Sequence, residues 1–227
     1  MQRPEQLTRA EGRLAETAYR RLRDGILRGD LPPRSVLDQR RLAARLASSR
    51  TPVRQALGRL LQEGLVEIGS RRQLVVRDFT PSHRREILLL REALETVAVR
   101  QACAVLEVED LDQLRLVLIQ QRRAARAGRD EEFVELDERF HLRIAESAKL
   151  PILHSFLGQL GGFVRVTTRG VARPPAVLER VVDEHERLVD AIERRDTTAA
   201  VAALADHLSQ RYTPATELLS RRREALR

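Results

Sequence analysis

Tryptophan is absent from this 227-residue sequence, cysteine occurs once, and aromatic residues make up only 3% of the chain. The core must therefore be built from leucine, valine, isoleucine and alanine, a composition that favours helices. The single cysteine, Cys103, cannot form a disulfide within the chain and suits a reducing compartment. No apolar run approaches the roughly 18 residues that span a bilayer, and the N-terminus lacks the apolar stretch of a signal peptide. These absences predict a cytoplasmic protein with no membrane partner.

Positive charge is concentrated in the first third of the chain. The formal net charge is +8. Residues 1–79 contain 17 arginines against 9 acidic residues, whereas the 24 basic residues of 80–227 are matched by 24 acidic ones. A basic segment joined to a neutral one is typical of a nucleic-acid-binding domain attached to a separate partner domain. The sequence therefore predicts two domains, one for DNA binding over 1–79 and a second over 80–227.

The pattern of the basic domain predicts three helices. Apolar residues at four-residue intervals indicate a helix over 14–28, and a shorter helix follows at about 39–47. Thr51 is the candidate N-cap of the third helix, with Pro52 at the first helical position, where a residue without an N–H is well tolerated. This helix is expected to end at Gly64, because glycine readily adopts the left-handed conformation that follows a helix.

Two short apolar segments follow, at 65–68 and 74–76, and the turn between them at 69–73 predicts a β-hairpin. Three helices followed by a hairpin are typical of a winged helix-turn-helix, in which the third helix enters the major groove of DNA. Arginines suit this role because a guanidinium donates two parallel hydrogen bonds to guanine; the alternative is a solvated helix face. The candidate DNA-binding residues are Arg40, Arg41, Arg50, Thr51, Arg54, Arg71 and Arg72.

The segment 14–79 strongly resembles the GntR family of transcriptional regulators. The resemblance rests mainly on the run 49–57 (SRTPVRQAL), with further support from 63–66 (EGLV). The wing tip at 69–73 (GSRRQ) departs from the glycine-rich tip that is common in the family, so contacts from this turn to phosphate or the minor groove are less firmly implied. The operator contacts of the family match Arg40, Arg50, Thr51 and Arg54 in this sequence.

The neutral domain has helical periodicity from Thr80 and Pro81 onward, and no useful length of it alternates as a strand would. Glycines, prolines and acidic residues divide it into about six helices, predicted at 81–106, 110–127, 131–148, 151–168, 175–195 and 197–221. The predicted fold is therefore mainly α, with an N-terminal winged helix-turn-helix, a small β-hairpin wing and a C-terminal all-α bundle. Such bundles place ligand sites between facing helices.

Three of the five histidines lie on apolar helix faces beside acidic residues. Asp137 and His141 are four residues apart, so both side chains project from one side of a helix. His185 and His207 each align with apolar neighbours on two later helices. A histidine on an apolar face is usually a satisfied core residue. The alternative is that the three imidazoles and one carboxylate converge on a divalent ion such as Zn²⁺, Ni²⁺ or Mn²⁺.

Residues 82–220 resemble the FCD domain of the FadR-type branch of the GntR family. The resemblance rests on three stretches, 136–141 (LDERFH), 184–192 (EHERLVDAI) and 203–208 (ALADHL). Many such domains bind a metal through one aspartate and three histidines, whereas members that lost these ligands bind acyl-CoA. The implied metal ligands are Asp137, His141, His185 and His207.

Effectors of this branch are often small organic acids that approach the metal and a nearby arginine. Arg91 matches the arginine that recurs near the start of the bundle, and its alternative role is an ion pair with Glu95, one helical turn away. Arg165 is a further effector-binding candidate. The implied protein is a homodimeric regulator, not an enzyme, that binds operator DNA and a small carboxylate. The alternatives are a regulator for which the metal itself is the signal and, less favoured for lack of a general base, a metallohydrolase.

Overall fold

The computed structural model describes residues 4–170 and 173–212, with side chains described for 12–170 and 173–210. No helix in these ranges is both long enough and apolar enough to cross a membrane. The elements in chain order are α1 (Pro4–Arg28), α2 (Gln39–Arg45), α3 (Arg50–Gln62), β1 (Val66–Ile68), β2 (Leu74–Val76), α4 (Pro81–Val105), α5 (Val108–Arg126), α6 (Asp130–Ser147), α7 (Pro151–Thr168), α8 (Pro175–Glu193) and α9 (Thr197–Tyr212).

These elements form two compact units. The first comprises the described residues up to Ser82 together with Gly162–Arg169, which is the end of α7 and the residue after it. The second comprises His83–Gly161 with Gly170 and 173–212. The second unit contains the bundle helices, whose core includes Phe140, Leu188 and Leu204. The predicted helical bundle is therefore confirmed for the described part of the chain. The predicted extension of the last helix to residue 221 lies outside the described residues.

The core of the first unit lies between α1 and α3. Leu22 and Ile26 of α1 are buried against Leu57 and Leu60 of α3. Fully burying an aliphatic side chain of this size contributes roughly 1.5–3 kcal/mol relative to leaving it exposed. This packing holds α3 by its apolar face and leaves the opposite face of the helix in solvent.

The predicted hairpin is confirmed. Strands β1 and β2 pair antiparallel, with Val66 opposite Val76. A third participant was not predicted: Val36 forms an isolated antiparallel bridge with Val75. A bridge of one residue is too short to produce the alternating pattern by which strands are recognised in a sequence.

The predicted N-cap of the third helix, Thr51, is wrong. Helix α3 begins at Arg50, and Ser49 takes the N-cap position with an extended backbone (φ −83°, ψ 168°). Pro52 still lies in the first turn, where backbone N–H groups have no partner within the helix, and a residue lacking that group fits there. The predicted end is confirmed, because Gly64 follows the helix with φ 78°. The shift places Arg50 and Thr51 in the first turn of α3.

A polar contact also joins α1 to α3. The hydroxyl of Tyr19 donates to both carboxylate oxygens of Glu63, at 2.8 and 3.0 Å. The guanidinium of Arg59 lies 3.6 Å from the centroid of the Tyr19 ring and donates to Glu63 at 3.1 Å. Burial and the hydrogen bonds to the Glu63 carboxylate raise the pKa of Tyr19 to about 12. The folded protein therefore favours the neutral phenol.

This shift predicts a loss of stability in alkaline solution. The contribution of Tyr19 is fully present below the pKa of an unfolded tyrosine, about 10, and is lost as the pH rises through about 12. Replacing Tyr19 with phenylalanine removes a hydrogen bond to a charged group and is expected to lower the free energy of unfolding by about 1–3 kcal/mol at pH 8. Urea unfolding between pH 8 and 11.5 measures both effects. Parallel losses of stability in wild type and Tyr19→Phe above pH 10 would contradict the assignment.

Candidate metal centre and DNA-binding face

The four side chains proposed as metal ligands come together inside the second unit. Asp137 and His141 lie on α6, His185 on α8 and His207 on α9. Their candidate ligand atoms all lie within 4.8 Å of one another, and all four residues are buried. One turn of α6 supplies two of the four residues, so the packing of α8 and α9 against α6 is required to assemble the cluster.

Two of the imidazoles hydrogen-bond through Nδ1 to residues outside the candidate ligand set. His185 Nδ1–H donates to the side-chain oxygen of Gln121 at 3.0 Å, and His207 Nδ1–H donates to the Glu184 carboxylate at 2.9 Å. An amide oxygen and an ionised carboxylate can only accept, so these two contacts favour the tautomer with the hydrogen on Nδ1. The two Nε2 atoms, which then carry lone pairs when the rings are neutral, lie 3.3 Å apart. Two facing lone pairs repel each other, and either a hydrogen on one of the two atoms or a cation bound to both removes that repulsion.

The third imidazole, His141, is also backed by a carboxylate. Its Nδ1 lies 2.7 Å from Oε2 of Glu95, and its buried Nε2 has no hydrogen-bond partner among the described residues. Burial, together with the Arg91 guanidinium, lowers the pKa of His141, which favours the neutral ring that can ligate a metal. Burial alone would raise the pKa of Glu95, but Arg91 and His141 hold it well below its usual range. Glu95 is therefore a carboxylate.

The cluster fits a divalent cation. The orphaned Nε2 of His141 and the facing Nε2 atoms of His185 and His207 offer three neutral imidazole donors. Oδ1 of Asp137, 3.7 Å from Nε2 of His185, supplies an anionic oxygen. Nitrogen and oxygen donors without a thiolate suit Zn²⁺, Ni²⁺ or Mn²⁺. In metal-ligating histidines the ring nitrogen that does not bind the metal typically hydrogen-bonds to a second residue, which orients the ring and favours one tautomer.

The two effector candidates occupy different units. Arg91 on α4 is buried and forms an ion pair with Glu95, the structural role left open by the sequence. Glu95 also contacts His141, so Arg91 is linked to a candidate metal ligand through Glu95. Arg165 lies on α7 in the segment grouped with the first unit, and its side chain is partly buried.

Sequence analysis missed three residues that contact the candidate ligands: Glu95 as the partner of His141, Gln121 and Glu184. Gln121 carried a detectable signal, because it is a polar residue on the face of α5 that otherwise buries Leu114, Val117 and Leu118. Glu184 is adjacent to His185 in the chain and buried, which is unusual for a glutamate. Buried polar residues on apolar stripes are therefore useful markers of side chains that hydrogen-bond to metal ligands.

The seven DNA-binding candidates are all solvent-exposed. Arg50, Thr51 and Arg54 occupy the first turns of α3 and are exposed, whereas Val53 and Leu57 of the same helix are buried. The others lie at the start of α2 (Arg40 and Arg41) and in the turn between β1 and β2 (Arg71 and Arg72).

Where side chains are described, several arginines of the first unit are paired with acidic side chains, and those of the DNA-binding set are not. Arg20, Arg34, Arg59 and Arg77 form ion pairs with acidic side chains of the same unit. Within residues 12–170 and 173–210, no carboxylate pairs with the arginines of the DNA-binding set. Their guanidinium groups are available to phosphates and base edges.

Two protein families and several known regulators match this chain. The family described as "Bacterial regulatory proteins, gntR family" matches residues 14–76, and the FCD domain family matches residues 86–210. The chain is 28% identical to the HTH-type transcriptional repressor RspR of Escherichia coli, covering 85% of this chain and 84% of that protein. It is 30% identical to a probable D-xylose utilization operon transcriptional repressor of Paenarthrobacter nicotinovorans, covering 84% and 83%. The solved structure of E. coli McbR/YncC is similar with a TM-score of 0.75 and 26% identity, covering 87% of this chain and 94% of that one. These matches are to transcriptional regulators, not to enzymes.

Proposed function

The chain belongs to the GntR family of bacterial regulatory proteins and carries an FCD domain, and on this basis we propose that it is an effector-responsive transcriptional regulator. It acts in the cytoplasm as a homodimer that binds double-stranded operator DNA. A small organic acid, bound at a metal site in the helical domain, changes its affinity for the operator. Residues 1–79 are the DNA-binding domain and 80–227 the ligand- and metal-binding domain.

The DNA-binding function is carried by one observation, the exposed arginines in the first turns of α3, which pair with no carboxylate in the described part of the chain. Arg50 and Arg54 are four residues apart and therefore lie on the same face of the helix. In a helix-turn-helix, this end of the helix contacts base edges, where a guanidinium can recognise guanine by two hydrogen bonds. Thr51, the two arginines of α2 and the two arginines of the turn between β1 and β2 supply contacts to the DNA backbone. Two copies of this face in a homodimer would bind a pseudo-palindromic operator.

A homodimer is supported by an apolar face on α4. Leu90 and Val97 are seven residues apart, lie on the same side of this helix, and are each about half exposed. Apolar side chains repeated along one face of a long helix are typical of interfaces between copies. The described residues of a single chain leave this face uncovered.

The metal anchors the effector in this proposal. A small carboxylate would occupy an open coordination position on the ion. It would also accept hydrogen bonds from Arg91. The Nε–H of Arg91 is committed to Glu95, and the outer N–H groups have no ion-pair partner among the described side chains. Arg165 stays a prediction as a further effector contact.

A metal-sensing role is the second candidate, and the burial of the ligands favours it. His185 and His207 have no exposed surface, and Asp137 and His141 are exposed by 6% and 4%. A site that the chain encloses this fully can be filled by the ion alone. Chelation followed by DNA-binding assays separates the two roles, because only a metal sensor changes its operator affinity with zinc in the absence of an organic acid.

Selection from a pool of random duplexes tests the proposed function. The protein is expected to enrich a pseudo-palindromic sequence and to bind it at least about 1,000-fold more tightly than unselected duplex at physiological salt. Gel-shift titrations with and without zinc and a panel of small carboxylates then measure the response to effectors. Equal affinity for enriched and unselected duplexes would overturn the DNA-binding function, whereas an unchanged affinity across the panel would overturn only the effector response.

A further inference from the structure

Helix α5 contributes no candidate metal ligand, yet it contacts the centre of the cluster through Gln121. This side chain is fully buried, on a face that otherwise carries aliphatic residues. Its oxygen accepts from His185, and its Nε2 has no hydrogen-bond partner among the described residues. The amide is therefore held by one contact, and that contact is to a candidate ligand.

The register of α5 on α8 places Gln121 opposite His185. Three arginines of α5 form ion pairs with acidic residues of α8. Arginines later in α5 pair with residues earlier in α8, so the two helices are antiparallel. Gln121 and His185 lie within this ladder, next to its middle pair. The ladder consists of Arg115–Asp190 at 2.7 Å, Arg122–Asp183 at 2.9 Å and Arg126–Glu179 at 3.3 Å.

From this arrangement we propose that Gln121 is a positioning residue that sets the tautomer of His185 and so keeps its Nε2 lone pair available to the metal. The inference rests on the proposed metal site. Because the amide oxygen can only accept, it holds the imidazole hydrogen on Nδ1. His141 and His207 have carboxylates in the equivalent place, so His185 is the one candidate histidine whose backing group is neutral.

A competing state explains why this position matters. If the hydrogen of His185 moved to Nε2, that atom would donate to Nε2 of His207, 3.3 Å away. This single hydrogen bond would occupy both nitrogens that the metal needs. Gln121 in its present orientation opposes the competing state, and only a flip of its amide, which would turn the NH₂ group toward His185, would support it. A carboxylate at position 121 could not support it in either orientation.

The experiment compares Gln121→Met, which conserves volume but removes the acceptor, with Gln121→Glu, which keeps an acceptor. Zinc affinity is measured by competition with a chromophoric chelator. Histidine tautomers in the metal-free protein are measured by long-range ¹H–¹⁵N NMR. Gln121→Met is expected to weaken zinc binding about 10- to 100-fold and to move hydrogen from Nδ1 to Nε2 of His185. Gln121→Glu is expected to bind zinc at least as tightly as wild type, with the hydrogen on Nδ1.

Leu118→Met, on the same buried face of α5, is the matched control and should change neither measurement. Wild-type zinc affinity in Gln121→Met, or an unchanged His185 tautomer in that variant, would overturn the inference. Should Gln121→Met fail to fold, a His185 hydrogen on Nε2 in Gln121→Glu or in wild type would do the same. Failure of the wild type to bind zinc would overturn the proposed metal site instead, and the tautomers of the metal-free protein would still decide the role of Gln121.

Discussion

Replacing His185 with alanine is expected to abolish the stabilisation that zinc gives to the folded protein. His185 is fully buried, and its Nε2 lies close to both Nε2 of His207 and Oδ1 of Asp137. An ion that binds only the folded state stabilises it by about 4 kcal/mol when its free concentration exceeds the dissociation constant about 1,000-fold. Without the central imidazole the remaining donors no longer surround the ion, and this linkage disappears. Calorimetric unfolding with zinc and with a chelator measures the difference directly.

His154→Ala is the matched control, because it removes an imidazole that is not part of the cluster. This variant should keep the full difference between the zinc-loaded and chelated forms. A His185→Ala variant that zinc stabilises as much as wild type would show that the cluster is a hydrogen-bonded core feature and not a metal site. The comparison within each variant cancels the separate effect of deleting a buried side chain, which lowers the stability of both forms.

Much of the fold and of the candidate centre follows from local pattern. The start of α4 at Pro81 and the end of α3 before Gly64 are specified by residues whose backbone conformation is restricted or unusually free. Asp137 and His141 share a face of α6 because of their spacing alone. The alignment of His185 and His207 with apolar neighbours indicated that they point inward. Local chemistry therefore located the candidate ligands and their helices.

The residues that hydrogen-bond to the candidate ligands could not be found in this way, because these contacts depend on how helices distant in sequence are aligned. Gln121 and His185 are 64 positions apart, and they meet only through the register of α5 on α8. Glu95 could be paired with Arg91 from its spacing, but its second contact, to His141, crosses between helices. The prediction of Thr51 as the N-cap of α3 was wrong for a different reason. Proline is acceptable throughout the first turn, so its position did not define the first residue of the helix.

Replacing Arg54 with alanine is expected to remove most of the preference for the operator while leaving general DNA binding nearly intact. Arg54 is exposed one turn into α3 and has no acidic partner among the described side chains. Loss of a bidentate contact to guanine lowers the discrimination between bases by about 1–3 kcal/mol, or about 5- to 150-fold, in each half-site. Binding to unselected duplex depends on the sum of phosphate contacts and should fall much less. Titrations against the selected operator and unselected duplex measure the ratio of the two affinities.

Arg100→Ala provides the charge-matched control, since it removes one exposed arginine from α4, outside the DNA-binding domain. It should leave the affinity ratio unchanged. Arg54→Lys separates charge from geometry: lysine keeps the positive charge but cannot donate the two parallel hydrogen bonds of a guanidinium. It is therefore expected to retain binding to unselected duplex and to lose most of the operator preference. An Arg54→Ala variant that weakens binding equally on both duplexes would instead assign this arginine to the phosphate backbone, and base recognition would have to come from Arg50.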